Sequence, residues 1–141
     1  MTYTAPYTLT DHLTTIRREL EKRRSAYPKI MAKKVKEGYT QAEQIALATT
    51  QRIQYELLTE AENALLEVTH PDANTAEAIW RELLREYRMR KKCYPRWVAF
   101  TRMNEETARR ELLDWMCMAD DFHAHFCPDA PLRASRKKTK I

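Results

Sequence analysis

With only one glycine, Gly38, in 141 residues, the chain is poorly suited to sheets or nucleotide-binding loops, which use several glycines for turns and close backbone approach. The length fits one domain with a sizeable core, and helix-favouring Ala, Glu, Leu, Lys and Arg fill long stretches. The net charge of +5 comes from residues 133–141, which hold five of the 25 basic residues and no acidic one. These features predict an all-α protein whose folded part, with 20 charges of each sign, is neutral overall.

Neither a membrane span nor a signal peptide is predicted. The chain has no run of about 18 apolar residues, and its N-terminus lacks a basic segment followed by an apolar one. Three cysteines, Cys93, Cys117 and Cys127, are an odd number without the spacing of a disulfide framework. We therefore expect a soluble cytoplasmic protein with free thiols.

The first predicted helix contains the pair Tyr27-Pro28, and Tyr94-Pro95 repeats this pair 67 residues later. At this offset several residues upstream match: Leu13 with Trp80, Ile16 with Leu83, Leu20 with Tyr87, Arg18-Glu19 with Arg85-Glu86, and Arg23 with Arg90. The apolar positions are three and four residues apart, which is the spacing of one helix face. The sequence therefore predicts two tandem helical hairpins, at about 9–69 and about 75–127.

Proline inside a helical pattern needs an explanation, because it lacks an amide donor and its ring clashes with the preceding turn. The apolar register continues across Pro28 and Pro95 without a shift, which favours a bend within one continuous helix. The alternative is that a new helix begins at each proline.

The second predicted helix runs from about 41 to 68. Gly38 precedes it as a break, and Thr40 with Glu43 has the spacing of a capping box. Residues of almost heptad spacing form a seam along this helix, which favours a long partner helix: Ile45, Thr49, Ile53, Leu57, Ala61, Ala64 and Val68.

The third and fourth helices follow turn-forming residues at 70–74, with Thr75 predicted to cap the third helix and Asn104 the fourth. The fourth is predicted to end near Pro128 and is rich in apolar and aromatic residues: Leu112, Leu113, Trp115, Met116, Met118, Phe122 and Phe126. We expect a four-helix bundle in one domain over residues 1–132. A disordered basic tail is expected at 133–141, containing Arg133, Arg136, Lys137, Lys138 and Lys140.

One segment reads Met89-Arg90-Lys91-Lys92-Cys93-Tyr94-Pro95-Arg96-Trp97-Val98 and is followed by Met103, Asn104 and Ala108-Arg109-Arg110. This segment resembles a family of small phage proteins that form one helical hairpin. The resemblance covers about 82–116 well and the first repeat poorly. Thr101-Arg102-Met103 stands where the family usually has a glycine. The resemblance implies a phage or mobile-element origin, and therefore the cytoplasm of an infected or lysogenic bacterium. It transfers no catalytic residue.

One segment contains residue types that bind metals. Of its two cysteines and two histidines, Cys117, His123 and Cys127 are the candidate ligands. No CxxC pair is present and the neighbours are apolar, so we expect core packing and no metal. Asp120 and Asp121 are expected on a solvated face, because adjacent carboxylates point away from each other on a helix. We predict no cofactor and no enzyme activity.

Charge is segregated within each predicted hairpin. The first helix of each hairpin is basic and the second helix is acidic. One explanation is ion pairing between the two helices of each hairpin. The other is a basic stripe that meets phosphates or an acidic protein: Arg17, Arg18, Lys22, Arg23, Arg24, Lys29, Lys33, Arg88, Arg90, Lys91, Lys92 and Arg96.

Three functions fit these patterns. The first is a non-enzymatic accessory protein that binds and inhibits or remodels a host protein or nucleoprotein complex, as anti-defence and anti-CRISPR proteins do. The second is a nucleic-acid-binding factor in phage replication or recombination that uses the basic helices and the tail. The third is a structural adaptor that self-associates through the seam of the second helix.

Overall fold

A computed structural model describes Tyr3, residues 6–99 and residues 104–132, apart from the side chain of Trp97. All regular structure in these ranges is helical, in four elements: α1 Leu9–Lys36, α2 Gln41–Leu65, α3 Ala73–Ala99 and α4 Glu105–Phe126. This confirms the predicted all-α class and the four main helices. The predicted tail at 133–141 lies outside the described residues.

Local chemistry at the helix starts explains where the helices begin. Thr8 with Asp11 and Thr40 with Glu43 form complete capping boxes, and the Asn104 side chain accepts from the first amides of α4. The predicted cap of α3 is wrong. Asp72 Oδ1 accepts the Thr75 amide at 2.8 Å, so α3 begins two residues before Thr75.

Two helices end in Schellman motifs. At the end of α1, Gly38 has a φ of 100° and the Tyr39 amide donates to the Lys34 carbonyl. At the end of α2, Glu67 takes the same role with a φ of 60°, and the Val68 amide donates to the Asn63 carbonyl. The chain therefore turns away at Leu65, earlier than the predicted end at Val68.

The two prolines lie inside continuous helices. Pro28 is in α1 and Pro95 is in α3, and both helices continue beyond them. The prediction that each helix continues across its proline is confirmed, and the alternative of a new helix at each proline is wrong.

The two hairpins, α1–α2 and α3–α4, pack against each other, and each helix contacts one helix of the other hairpin. α1 also contacts α4 and α2 also contacts α3, whereas α1 and α3 lie diagonally across the bundle. Alanines on α2 allow the aromatic side chains to approach closely, and burial of these aromatics dominates the core. The core consists of Leu13, Ile16, Leu20, Leu58, Ala61, Ala64, Leu65, Ala76, Ile79, Trp80, Leu83, Trp115, Met118, Ala119, Phe122 and Cys127.

One end of the first hairpin projects beyond this core. Residues 24–57 contribute no fully buried side chain, and we call them the projecting arm. The predicted seam on α2 is therefore only half correct: Ala61 and Ala64 are buried, but Ile45 and Ile53 are exposed. The first turns of α3 line a groove with residues 53–60 of α2, and Ile45 lies about two turns before this groove. None of the described helices is both long and apolar enough to cross a bilayer.

Candidate functional site

The two repeats meet at a buried network of two arginines and two glutamates. Arg23 binds Glu19 of its own helix at 3.1 Å, and Arg90 lies 3.3 Å from Glu86 of its own helix. Across the bundle, Arg23 binds Glu86 and Arg90 binds Glu19. Arg90 and Glu86 are the repeat equivalents of Arg23 and Glu19. The quartet therefore consists of the same two positions from each repeat.

Further contacts fix both guanidinium groups. Arg23 donates to the Gln54 carbonyl and to Glu82, each at 2.8 Å, and Arg90 lies 4.9 Å from the centre of the Trp115 ring. Burial opposes the charged form of Arg23, but attraction from Glu86 and Glu82 outweighs it and raises the pKa. Both guanidinium groups therefore keep their charge inside the bundle, and the quartet joins α1 to α3.

The sequence placed Arg23 and Arg90 in an exposed basic stripe, and this prediction is wrong for both residues. Their exposed fractions are 4% and 5%. The α1 and α3 backbones lie across the bundle from each other, and the long side chains of Arg23 and Arg90 bridge that distance. Arg24, the next residue, is exposed and donates to the Tyr55 hydroxyl at 2.6 Å.

The other predicted stripe residues are exposed and divide into two groups. Arg17 binds Glu62 at 2.5 Å and Arg18 binds Glu111 at 2.6 Å. A second group makes no ion pair within the described residues: Lys22, Lys29, Lys33, Arg88, Lys91, Lys92 and Arg96. This second group, spread over both repeats, is the basic surface that remains available to a partner.

Charge segregation is explained mainly by contacts between the hairpins. Between described residues, Arg17–Glu62 is the one ion pair that joins the two helices of a single hairpin. Arg18–Glu111, the Arg–Glu quartet and the pairs of His12 all cross from one hairpin to the other. The predicted pairing within each hairpin is therefore found in the first hairpin, at Arg17–Glu62, and at no described ion pair of the second. Packing of acidic α4 against basic α1 accounts for the pairs Arg18–Glu111 and His12–Asp114.

A second buried polar cluster was missed in the sequence. His12 is fully buried, with Nδ1 2.6 Å from Asp114 and Nε2 3.2 Å from Asp121, and Thr15 donates to the other oxygen of Asp114. Tyr3 stacks edge-on against the imidazole. The available signal was the position of His12 four residues before Ile16, on the apolar face of α1.

Electrostatics favour a charged imidazole in this cluster. Burial opposes the charge, but hydrogen bonding and attraction from Asp114 and then Asp121 raise the pKa of His12 above its ordinary value. Both ring nitrogens can donate only in the protonated form. The expectation of a solvated face holds for exposed Asp120 but is wrong for Asp121, which faces α1.

The candidate metal ligands are not brought together. Cys127 Sγ lies 3.8 Å from the Ala76 carbonyl, and His123 Nε2 lies 2.8 Å from the Ala130 carbonyl. Burial raises the pKa of Cys127 to about 11 and also raises that of Cys117, so both thiols are protonated near neutral pH. Within the described ranges, no group of His, Cys, Asp or Glu side chains has the arrangement of a metal site.

Exposed apolar side chains are concentrated on the projecting arm. Ile45 is 61% exposed, Ile53 is 47% exposed and Ile30 is 40% exposed. Unpaired Lys29 and Lys33 lie on the same arm. This combination of apolar and basic side chains is the surface best suited to binding among the described residues.

Comparison of the chain with protein-family models, with curated proteins and with solved structures finds no match.

Proposed function

We propose that the protein is a non-enzymatic accessory protein of a phage or mobile element that binds a host protein or nucleoprotein complex and inhibits or remodels it, as anti-defence and anti-CRISPR proteins do. The observation that carries the proposal is the projecting arm, where Ile30, Ile45 and Ile53 are exposed on two well-formed helices. The resemblance of residues 82–116 to small phage proteins supports the origin.

The arm has the properties of a binding surface. Covering an aliphatic side chain of this size yields roughly 1–2 kcal/mol, so three isoleucines on one arm are a substantial driving force. The arm contributes no fully buried residue to the core, so this surface is not needed to complete the bundle. Lysines around it provide attraction to an acidic partner and would accelerate association.

Co-purification with matched variants tests the binding. The tagged protein should retain a stoichiometric partner from bacterial cells, and Ile45→Glu or Ile53→Glu should lose it. Val68→Glu is the control, since Val68 is 70% exposed but lies outside the arm. Retention by all three variants, or absence of any stoichiometric partner, would contradict the proposal.

Inhibition is tested separately in bacteria that carry an active CRISPR system. Expression of the protein should raise the plating efficiency of a targeted phage, and Ile53→Glu should abolish the effect. Unchanged plating across several defence systems would contradict the anti-defence activity while leaving partner binding intact.

Nucleic-acid binding is the second candidate, favoured by the unpaired Lys22, Lys29, Lys33, Lys91 and Lys92. Phosphate contacts release counterions, so affinity should fall log-linearly with salt concentration. Gel-shift titration at two salt concentrations measures the slope, and removal of 133–141 should reduce it. Affinity independent of salt would exclude this candidate.

A further inference from the structure

The inner face of the projecting arm continues a helix-binding surface that the protein already uses. On α1 this face carries Arg23, Tyr27, Ile30 and Lys34, which follow one another at helical spacing. α3 covers its lower part, where Glu82 and Glu86 bind Arg23. Beyond this point Ile30 is exposed.

The matching face of α2 is divided in the same way. Ala61 and Ala64 are buried, and Leu57 lines a groove with Thr75 and Ala78 of α3. Ile53 lies at the edge of this groove, and the next turns of α2 are exposed. The surface that receives the first turns of α3 therefore extends past the start of α3, and none of the described segments of the chain covers this extension.

The two threonines on the exposed part of α2 present little free polar surface, whereas Gln41, Glu43 and Arg52 are exposed. Thr49 Oγ1 donates to the Ile45 carbonyl at 2.8 Å, and Thr50 Oγ1 donates to the Ala46 carbonyl at 3.1 Å. Because their own helix already satisfies these hydroxyls, a partner would meet mainly methyl groups and lose few hydrogen bonds to water.

Charge determines which occupant fits. The arm contains six basic residues and three acidic ones. Five of the basic residues lie on α1, whereas Glu56 of α2 lines the groove beside Ile53, so the carboxylates of an occupant would face α1. α3, the helix that occupies the lower part of the face, uses carboxylates to meet Arg23. A second copy of the arm would bring two net positive surfaces together, which is unfavourable.

We infer that the inner face of the projecting arm binds an acidic amphipathic helix of a partner protein, laid end to end with α3 between α1 and α2. This inference rests on the proposed function and specifies its partner. The stretch of α1 from Tyr27 to Lys36 spans about 15 Å, which accommodates roughly three turns of the incoming helix.

Two synthetic helical peptides of equal length test the inference. Both carry the same leucine and alanine face, and they differ in having glutamates or lysines on the polar positions. Each is titrated into the full chain with 13C-labelled isoleucine methyl groups. The acidic peptide should shift the Ile30, Ile45 and Ile53 signals saturably and leave buried Ile16 and Ile79 unchanged.

Variants define the site. Ile53→Glu should weaken binding of the acidic peptide at least tenfold, and Val68→Glu should leave it unchanged. A Lys33→Glu, Lys34→Glu double variant should lose the acidic peptide and gain the basic one. Circular dichroism of each variant checks that it remains helical.

Several results would overturn the inference: no saturable shift, equal binding of both peptides, shifts at Ile16 and Ile79, or arm shifts that depend on protein concentration without peptide. The last would identify a second copy as the occupant. If any of these peptide results is obtained while Ile53→Glu still loses the cellular partner, the proposed function stands and only the acidic helix is excluded as the occupant.

Discussion

Both ring nitrogens of His12 face carboxylates, so this residue makes stability depend on pH. The groups around it are Asp114 and Asp121 of α4, Thr15 of α1 and the ring of Tyr3. Because the pKa of His12 is raised in the folded state, its contribution is complete below the unfolded value of about 6.5. The contribution is lost as the pH rises through the folded value.

We therefore expect His12→Gln to be destabilising by about 3 kcal/mol at pH 6, because it removes the charge between two buried carboxylates. The difference from the unsubstituted protein should shrink towards alkaline pH. Urea unfolding at pH 6 and pH 9 measures both values. A difference that stays constant, or grows, as the pH rises would show that folding does not raise the pKa of His12.

The Arg–Glu quartet gives a second prediction at the residue scale. Arg90→Met should cost about 2–3 kcal/mol, since Glu19 and Glu86 lose one charged hydrogen-bonding partner and keep Arg23 as the other. Adding Glu19→Gln should recover part of this loss, and a double-mutant cycle on urea unfolding measures the coupling. Lys29→Met, at an exposed unpaired position, is the control and should have no measurable effect. Additive losses at Arg90 and Glu19 would contradict the pairing.

Among the elements, α1 and α2 end in the same motif with different residues. Gly38 and Glu67 both have positive φ, a conformation in which a side chain clashes with its own backbone. No atom lies within 4 Å of where a Cβ would be at Gly38, so backbone strain alone sets the cost there.

Substitutions at these two sites should have opposite effects. Gly38→Ala should destabilise the protein by about 1 kcal/mol, and Glu67→Gly should stabilise it by up to about 1 kcal/mol. Thermal or urea unfolding of the two variants checks the signs. If Glu67→Gly destabilised the protein, the Glu67 side chain would have a stabilising contact that exceeds the backbone strain.

For the whole molecule, neither hairpin is a complete unit. Arg23 of the first hairpin needs Glu82 and Glu86 of the second, and His12 needs Asp114 and Asp121. The apolar core likewise takes Leu58 and Ala61 from one hairpin and Trp80 and Phe122 from the other. We therefore expect the two repeats to fold as one cooperative domain.

Fragments 1–69 and 70–141 test this cooperativity. Each fragment alone should lack a cooperative thermal transition, and an equimolar mixture should regain helicity and such a transition. Circular dichroism measures both. Arg23→Met in the first fragment should weaken reassociation, whereas Lys22→Met, a neighbouring exposed position, should not. A cooperative transition in either isolated fragment would contradict the interpretation.

Helix positions were largely predictable from the sequence, because capping and turn chemistry act over three or four residues. Thr40 with Glu43 and Asn104 cap the helices as predicted. The predicted start of α3 was wrong because Asp72, three residues before Thr75, competes for the same role. The tandem repeat also identified equivalent residues, and the quartet consists of two such equivalent pairs.

Which charged residues are buried was decided by the tertiary structure. Arg23 and Arg24 are adjacent and chemically identical, yet one is buried among glutamates and the other is exposed. His12 likewise became part of a buried charge cluster only because acidic α4 packs against α1. Capping and periodicity are local in the chain, so the sequence determined the helices and their equivalence. The sites of burial, pairing and exposed apolar surface depend on how two hairpins cross, and residues about 60 to 110 positions apart set that geometry through packing.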